Sequence, residues 1–167
     1  AKRAGRRENS AFYMAWAREL QRAYADRFWD EASGCLFREH AEAGVSRGLE
    51  PCQLHAIALP PMLLEPGLGR RLVGTITREL FTPRGLRPRP GDGAPEPAWL
   101  GPWGSAMQRV HDRDEGMSAH VRAALAAYAD LGEANAAELT AAGAADLLRA
   151  WVEAVDHSEV EEQIEQS

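Results

Sequence analysis

The sequence predicts an all-α fold, and three observations predict it. Apolar side chains recur at the spacing of one helix face over much of the chain. No stretch sustains the strict alternation of a half-buried strand. No internal repeat of fixed period points to a solenoid or a propeller. The 167 residues fit one domain of ordinary size, with a basic end at 1–8 and an acidic tail at 156–167.

About six helices follow in order. Phe12, Trp16, Leu20, Tyr24 and Phe28 recur every four residues, which predicts a helix over Asn9–Phe28 with Asn9 or Ser10 as N-cap. Trp29 to Val45 contains Gly34 and Gly44 and no helical stripe, so it reads as a loop with a short hairpin at Gly34–Phe37. A short apolar helix over Gln53–Leu59 must end at Pro60-Pro61, because proline disfavours helix at the residue before it. Another begins after Pro66, with Leu68, Leu72, Val73, Ile76 and Leu80 on one face.

Thr82 to Pro97 is too dense in Pro and Gly for a regular element. Helical patterning resumes at Gly101. Asp114–Leu131 presents Val121, Leu125 and Tyr128, and Glu133–Val155 presents Leu139, Leu147, Leu148, Trp151 and Val155. The last residues, with Glu159, Glu161, Glu162 and Glu165, read as a solvated end.

Composition excludes several function classes. The formal charge of −6 argues against a general nucleic-acid binder, which needs clustered cations for phosphate. The one basic cluster, Lys2, Arg3, Arg6 and Arg7, reads as a frayed terminus. No apolar run approaches the ~18 residues that cross a membrane, and no signal peptide is expected. Two Cys imply no disulfide framework, and a cytoplasmic location is the expectation. Cys35-x4-His40 and Cys52-x2-His55 offer zinc-ligand types, but the spacings match no familiar zinc module, so no metal is expected.

Five segments, in order, resemble bacterial glycogen debranching enzymes, specifically their amylo-α-1,6-glucosidase domain. Arg27-Phe28-Trp29-Asp30-Glu31 followed by Gly34-Cys35-Leu36 is similar to an "RFW-(D/N)-E…GYL" segment. Pro51 to Pro60 stands where the family writes Arg-Pro-Asn-Gln and an apolar helix ending in Leu-Pro. Arg78 to Arg87 looks like "REL-L-TPYGLR". Leu100-Gly101-Pro102-Trp103 and Asp146 to Trp151 resemble its last helices. The resemblance implies helical hairpins from the C-terminal half of an (α/α)6 toroid. Half a ring would expose an apolar edge, so it also implies a homo-oligomer, a partner chain completing the ring, or an unusually closed bundle.

The chemistry so implied is hydrolysis of α-1,6-linked glucose by two carboxyls, with α-glucan or maltooligosaccharide as ligand and no cofactor. In the resembled family the acid lies in the earlier half of the domain, which this chain does not contain. The base lies in a "Ser-Glu-Ile-Phe-Asp-Gly"-like motif near the C-terminus. Leu131-Gly132-Glu133-Ala134-Asn135 replaces that motif here, leaving Glu133 and Glu138 in the region. The family's Arg-Pro-Asn-Gln is Glu50-Pro51-Cys52-Gln53, its "TPYGLR" Tyr is Arg84, and its His-x-Gly-Thr-x-Trp-Pro segment is Gly91 to Pro97. So many departures together imply a degenerate catalytic site.

Asp92 and Glu96 are the remaining loop carboxylates, so Asp92, Glu96, Glu133 and Glu138 form the catalytic candidates. Gln53 suits a sugar hydroxyl or a helix cap. Thr82, Gly85 and Arg87 suit a pocket rim or a helix-ending turn. Trp99 and Trp103 suit a sugar face or the core. The competing reading is a non-catalytic, all-α interaction or oligomerising subunit.

Overall fold

The computed structural model describes residues 2–40, 44–130 and 140–155. The fold is mostly helical, as expected. Among the described residues the helices are α1 (Lys2–Phe28), α2 (His55–Ala58), α3 (Pro66–Leu80), α4 (Leu100–Val110), α5 (Glu115–Ala129) and α6 (Ala141–Val155).

Helix α4 is the axis of the molecule. Every residue from Leu100 to Val110 is buried except Arg109, which is partly so. It packs against α2, α3, α5 and α6. Its glycines make this possible: a Cβ on Gly101 would lie 2.4 Å from the Asp146 carbonyl carbon. Helices α4 and α6 therefore meet backbone to backbone. Trp103 is fully buried and donates from its indole Nε1 to Thr77 Oγ1 at 2.9 Å, tying α4 to α3. Gln108 Nε2 donates to the Ala150 carbonyl at 3.1 Å, tying α4 to α6.

Helix α3 follows the expected pattern. Leu72, Val73, Ile76 and Leu80 are buried, and Leu68 packs partly against the same core. Helix α5 is capped by Asp114, whose carboxylate accepts from Met117 N–H at 3.2 Å, and it buries Val121, Leu125 and Tyr128 as expected.

Four expectations are corrected. Helix α1 runs through Asn9 and Ser10 rather than starting there; the Lys, Ala and Arg before them are good helix formers. The expected loop over Trp29–Val45 holds more than a short hairpin. Strands β1 (Trp29–Asp30), β2 (Cys35–His40) and β3 (Gly44–Arg47) form an antiparallel sheet in that order, turning at Gly34 with φ 67°. The helix expected over Gln53–Leu59 begins as a 3-10 turn, Pro51–Leu54, and becomes α2. The Pro60-Pro61 peptide beyond it is cis.

The fourth correction concerns α6. Its buried residues are Gly143, Ala150 and Ala154, because only small side chains fit the close approach to α4. Leu148, Trp151 and Val152 point away, 66, 40 and 58% exposed. Leu131 and Leu139 lie outside the described residues, as do the acidic tail and the first residue of the basic end.

Candidate functional site

The Pro- and Gly-rich segment after α3 builds one wall of a cleft. Where no regular element was expected, strands β4 (Phe81–Thr82) and β5 (Gly85–Leu86) pair in a tight antiparallel turn. Leu86 and Glu96 then bridge, with Glu96 N–H donating to the Leu86 carbonyl at 2.8 Å and Leu86 N–H returning to the Glu96 carbonyl at 3.2 Å. Gly85 permits this contact: its φ is 134°, and a Cβ there would lie 2.5 Å from the Glu96 carbonyl carbon and oxygen. The loop between these fixed points carries Pro88, Arg89 and Asp92. The chain continues as a 3-10 turn, Pro97–Trp99, into α4.

Facing this loop is the segment that enters α2, with Glu50, Pro51 and Cys52. Between them lies an open cleft of about 430 Å3 that Asp92, Glu96, Arg89 and Trp99 also line. The Trp99 indole donates to Glu96 Oε2 at 3.0 Å, which fixes the ring and the carboxylate together. The His55 ring backs Trp99 at 5.4 Å between centroids. Cys52 Sγ lies 3.6 Å from Glu50 Oε2. Three carboxylates and one guanidinium give the cleft an acidic balance beside an aromatic face. That combination suits a polyhydroxylated ligand, whose ring stacks on the indole and whose hydroxyls donate to carboxylates.

The structure brings Asp92, Glu96 and Trp99 together and places the other candidates elsewhere. Gln53 is bound to backbone: its Nε2 donates to the Leu36 and Gly48 carbonyls at 3.1 and 2.8 Å, and its Oε1 accepts from Leu36 N–H at 3.3 Å. Thr82 Oγ1 donates to the Gly85 carbonyl and accepts from Arg84 N–H, holding the turn. Arg87 is partly buried and anchors its backbone N–H on the Leu80 carbonyl. Trp103 is in the core. Glu133 and Glu138 lie outside the described residues.

Sequence reasoning left Glu50, Cys52 and Arg89 out of the site. A signal existed for the first two, which stand where the resembled motif has a cation and an amide. Arg89 has no such marker. No three His, Cys, Asp or Glu side chains among the described residues are arranged to hold a metal ion. No helix among the described residues is long and apolar enough to cross a membrane.

A family model described as amylo-alpha-1,6-glucosidase matches residues 1–104. The match takes in every residue lining the cleft. No curated protein and no solved structure gives a significant match to the chain.

Proposed function

The chain belongs to the amylo-α-1,6-glucosidase family, and from that premise we propose that it binds α-glucan in the cleft between Glu50 and Trp99 with a degenerate catalytic apparatus. One observation carries the reading: Asp92, Glu96 and Trp99, far apart from Gln53 and Trp103 in role, converge on the same open cleft. Trp99 is the stacking surface for a glucose ring. Asp92 and Glu50 accept hydrogen bonds from sugar hydroxyls, and Glu96 orients the indole while presenting its second oxygen. Were the chain active, it would release glucose from α-1,6 branches with inversion, one carboxyl protonating the leaving oxygen and a second activating water. The expected setting is cytoplasmic.

Calorimetry with maltooligosaccharides and a branched glucan, with glucose release assayed on the same sample, tests this. Binding without release is the expected result. Release would restore a full hydrolase, with Asp92, Glu96 and Glu50 as the first residues to replace. No heat at millimolar ligand would overturn the glucan reading for this chain.

A second reading rests on a different observation. Phe12, Trp16 and Leu20 on α1 are 66, 54 and 50% exposed, although their spacing is that of a core-facing stripe. An interaction subunit would use this stripe against a second copy of the chain, Trp16 meeting its equivalent across a two-fold axis. Light scattering on the purified protein decides it: a dimer that Trp16→Ser dissolves supports the reading, and a monomer at high concentration sinks it.

A further inference from the structure

Helix α3 has an outward face that neither the core nor the cleft uses. Arg70, Gly74 and Arg78 succeed one another at four-residue intervals, with Arg71 and Thr75 alongside. Opposite them is the β1–β2 turn from Glu31 to Gly34. Between the two lies a depression of about 400 Å3.

Its guanidiniums are held in place, each by few of its donors. Arg70 Nη1 donates to the Val110 carbonyl at 3.0 Å, and Arg78 Nε donates to Glu79 Oε1 at 2.8 Å. Arg71 pairs with Glu31 Oε1 at 2.7 Å and lies over the Trp29 ring, 5.2 Å from its centroid. A guanidinium carries five N–H donors, so each Arg retains donors for a ligand. Arginine is also the residue best suited to two oxygens of one anion. Three cations against the carboxylates of Glu31 in the lining and Glu79 beside Arg78 leave the depression one positive charge in excess.

Gly74 is the second observation. Glycine is a poor helix former, and in mid-helix it needs a reason. Gly69 has one, since a Cβ there would strike Val110 Cγ1 at 2.9 Å. Gly74 has none of that kind: a Cβ would meet nothing within 4 Å. What its bare backbone provides is an unfilled floor between Arg70, Arg71 and Arg78.

We propose that this depression binds a phosphate group, free or carried on a sugar, through Arg70, Arg71 and Arg78 over the backbone of Gly74. The site is separate from the glucan cleft and stands or falls independently of it.

Thermal unfolding of the full chain in inorganic phosphate, against sodium chloride of equal ionic strength, gives the first readout. Phosphate at about ten times its Kd should raise Tm by about 3–5 °C beyond the chloride control. Gly74→Leu should keep or raise the ligand-free Tm while abolishing the phosphate shift, because it fills the floor with a good helix former. Arg78→Gln should weaken phosphate binding about tenfold, and Glu31→Gln should strengthen it by removing the competing carboxylate. Glucose 1-phosphate binding more tightly than phosphate assigns a sugar phosphate, and equal affinity assigns the free anion. Equal shifts in phosphate and chloride would overturn the site. So would a phosphate shift that survives both Gly74→Leu and Arg78→Gln.

Discussion

Gln53 is the residue whose structural role is most sharply defined. Its amide joins three backbone groups across β2 and the segment before α2. Gln53→Ala leaves those groups unpaired and should destabilise by about 1–3 kcal/mol, read by urea denaturation. If it instead left stability unchanged while weakening glucan binding, Gln53 would belong to the sugar after all. Glu31 makes a different prediction. The Trp29 indole donating to its carboxylate, with the Arg71 guanidinium beside it, holds its pKa below the ordinary 4.5. A depressed carboxylate contributes stability that is present above about 4.5 and fades as pH falls through the folded value. The Tm of the protein should therefore fall on acidification more than that of Glu31→Gln, and the two curves should diverge toward neutral pH. Gly85→Ala should be severe, since it forces both a strained φ and a collision with Glu96, and about 2 kcal/mol or more is expected.

At the scale of elements, α6 separates hydrophobicity from burial. Its fully buried residues are small, Gly143, Ala150 and Ala154, because α4 approaches with Gly101 and Gly104; of the large apolar ones Leu147 packs partly against the core, while Leu148, Trp151 and Val152 are exposed. Ala150→Leu should cost about 1–3 kcal/mol by overpacking, whereas Leu148→Ala should stay within about 0.5 kcal/mol. Equal effects would mean that α6 sits on α4 by another face. This element also shows what sequence could convey. The apolar period located α3 and α5 and even their buried residues, since each packs one stripe against a core of ordinary width. The face of α6 was illegible because size, not hydropathy, selects it. The sheet was illegible because β1 has two residues and Cys35 and Leu36 are both buried, so no alternation marks β2. For the site, Asp92 and Glu96 were readable as catalytic candidates and Trp99 as a stacking surface, near one another in the chain. Glu50 was not, since its approach depends on a turn made 35 residues later, at Gly85.

Across the whole molecule, the buried core runs as one cluster from Cys35 on β2 to Ala154 on α6, with Tyr24 and Phe28 of α1 packed against it, while Phe12, Trp16 and Leu20 of α1 and Leu148, Trp151 and Val152 of α6 are exposed. Family membership covers α1 through the first half of α4, so the cleft and the α1 stripe both fall within the matched part. The glucan reading predicts that Asp92→Asn weakens maltooligosaccharide binding at least tenfold without lowering Tm, because Asp92 is exposed on an open cleft, and that Trp99→Ala weakens it as much while also lowering Tm, because the indole packs against the core as well. Loss of fold together with binding in Asp92→Asn would reduce the cleft to a by-product of packing.

The bridge between Leu86 and Glu96 has a consequence for how this protein can vary. It clamps the loop at its base, so the stretch between hangs from a closed loop neck and contributes little to the core. Length and composition there can change without disturbing the helices. A protease cutting between Arg89 and Ala94 should leave the two halves associated under native conditions. The same stretch is where a randomised library would remodel ligand choice on an unchanged scaffold.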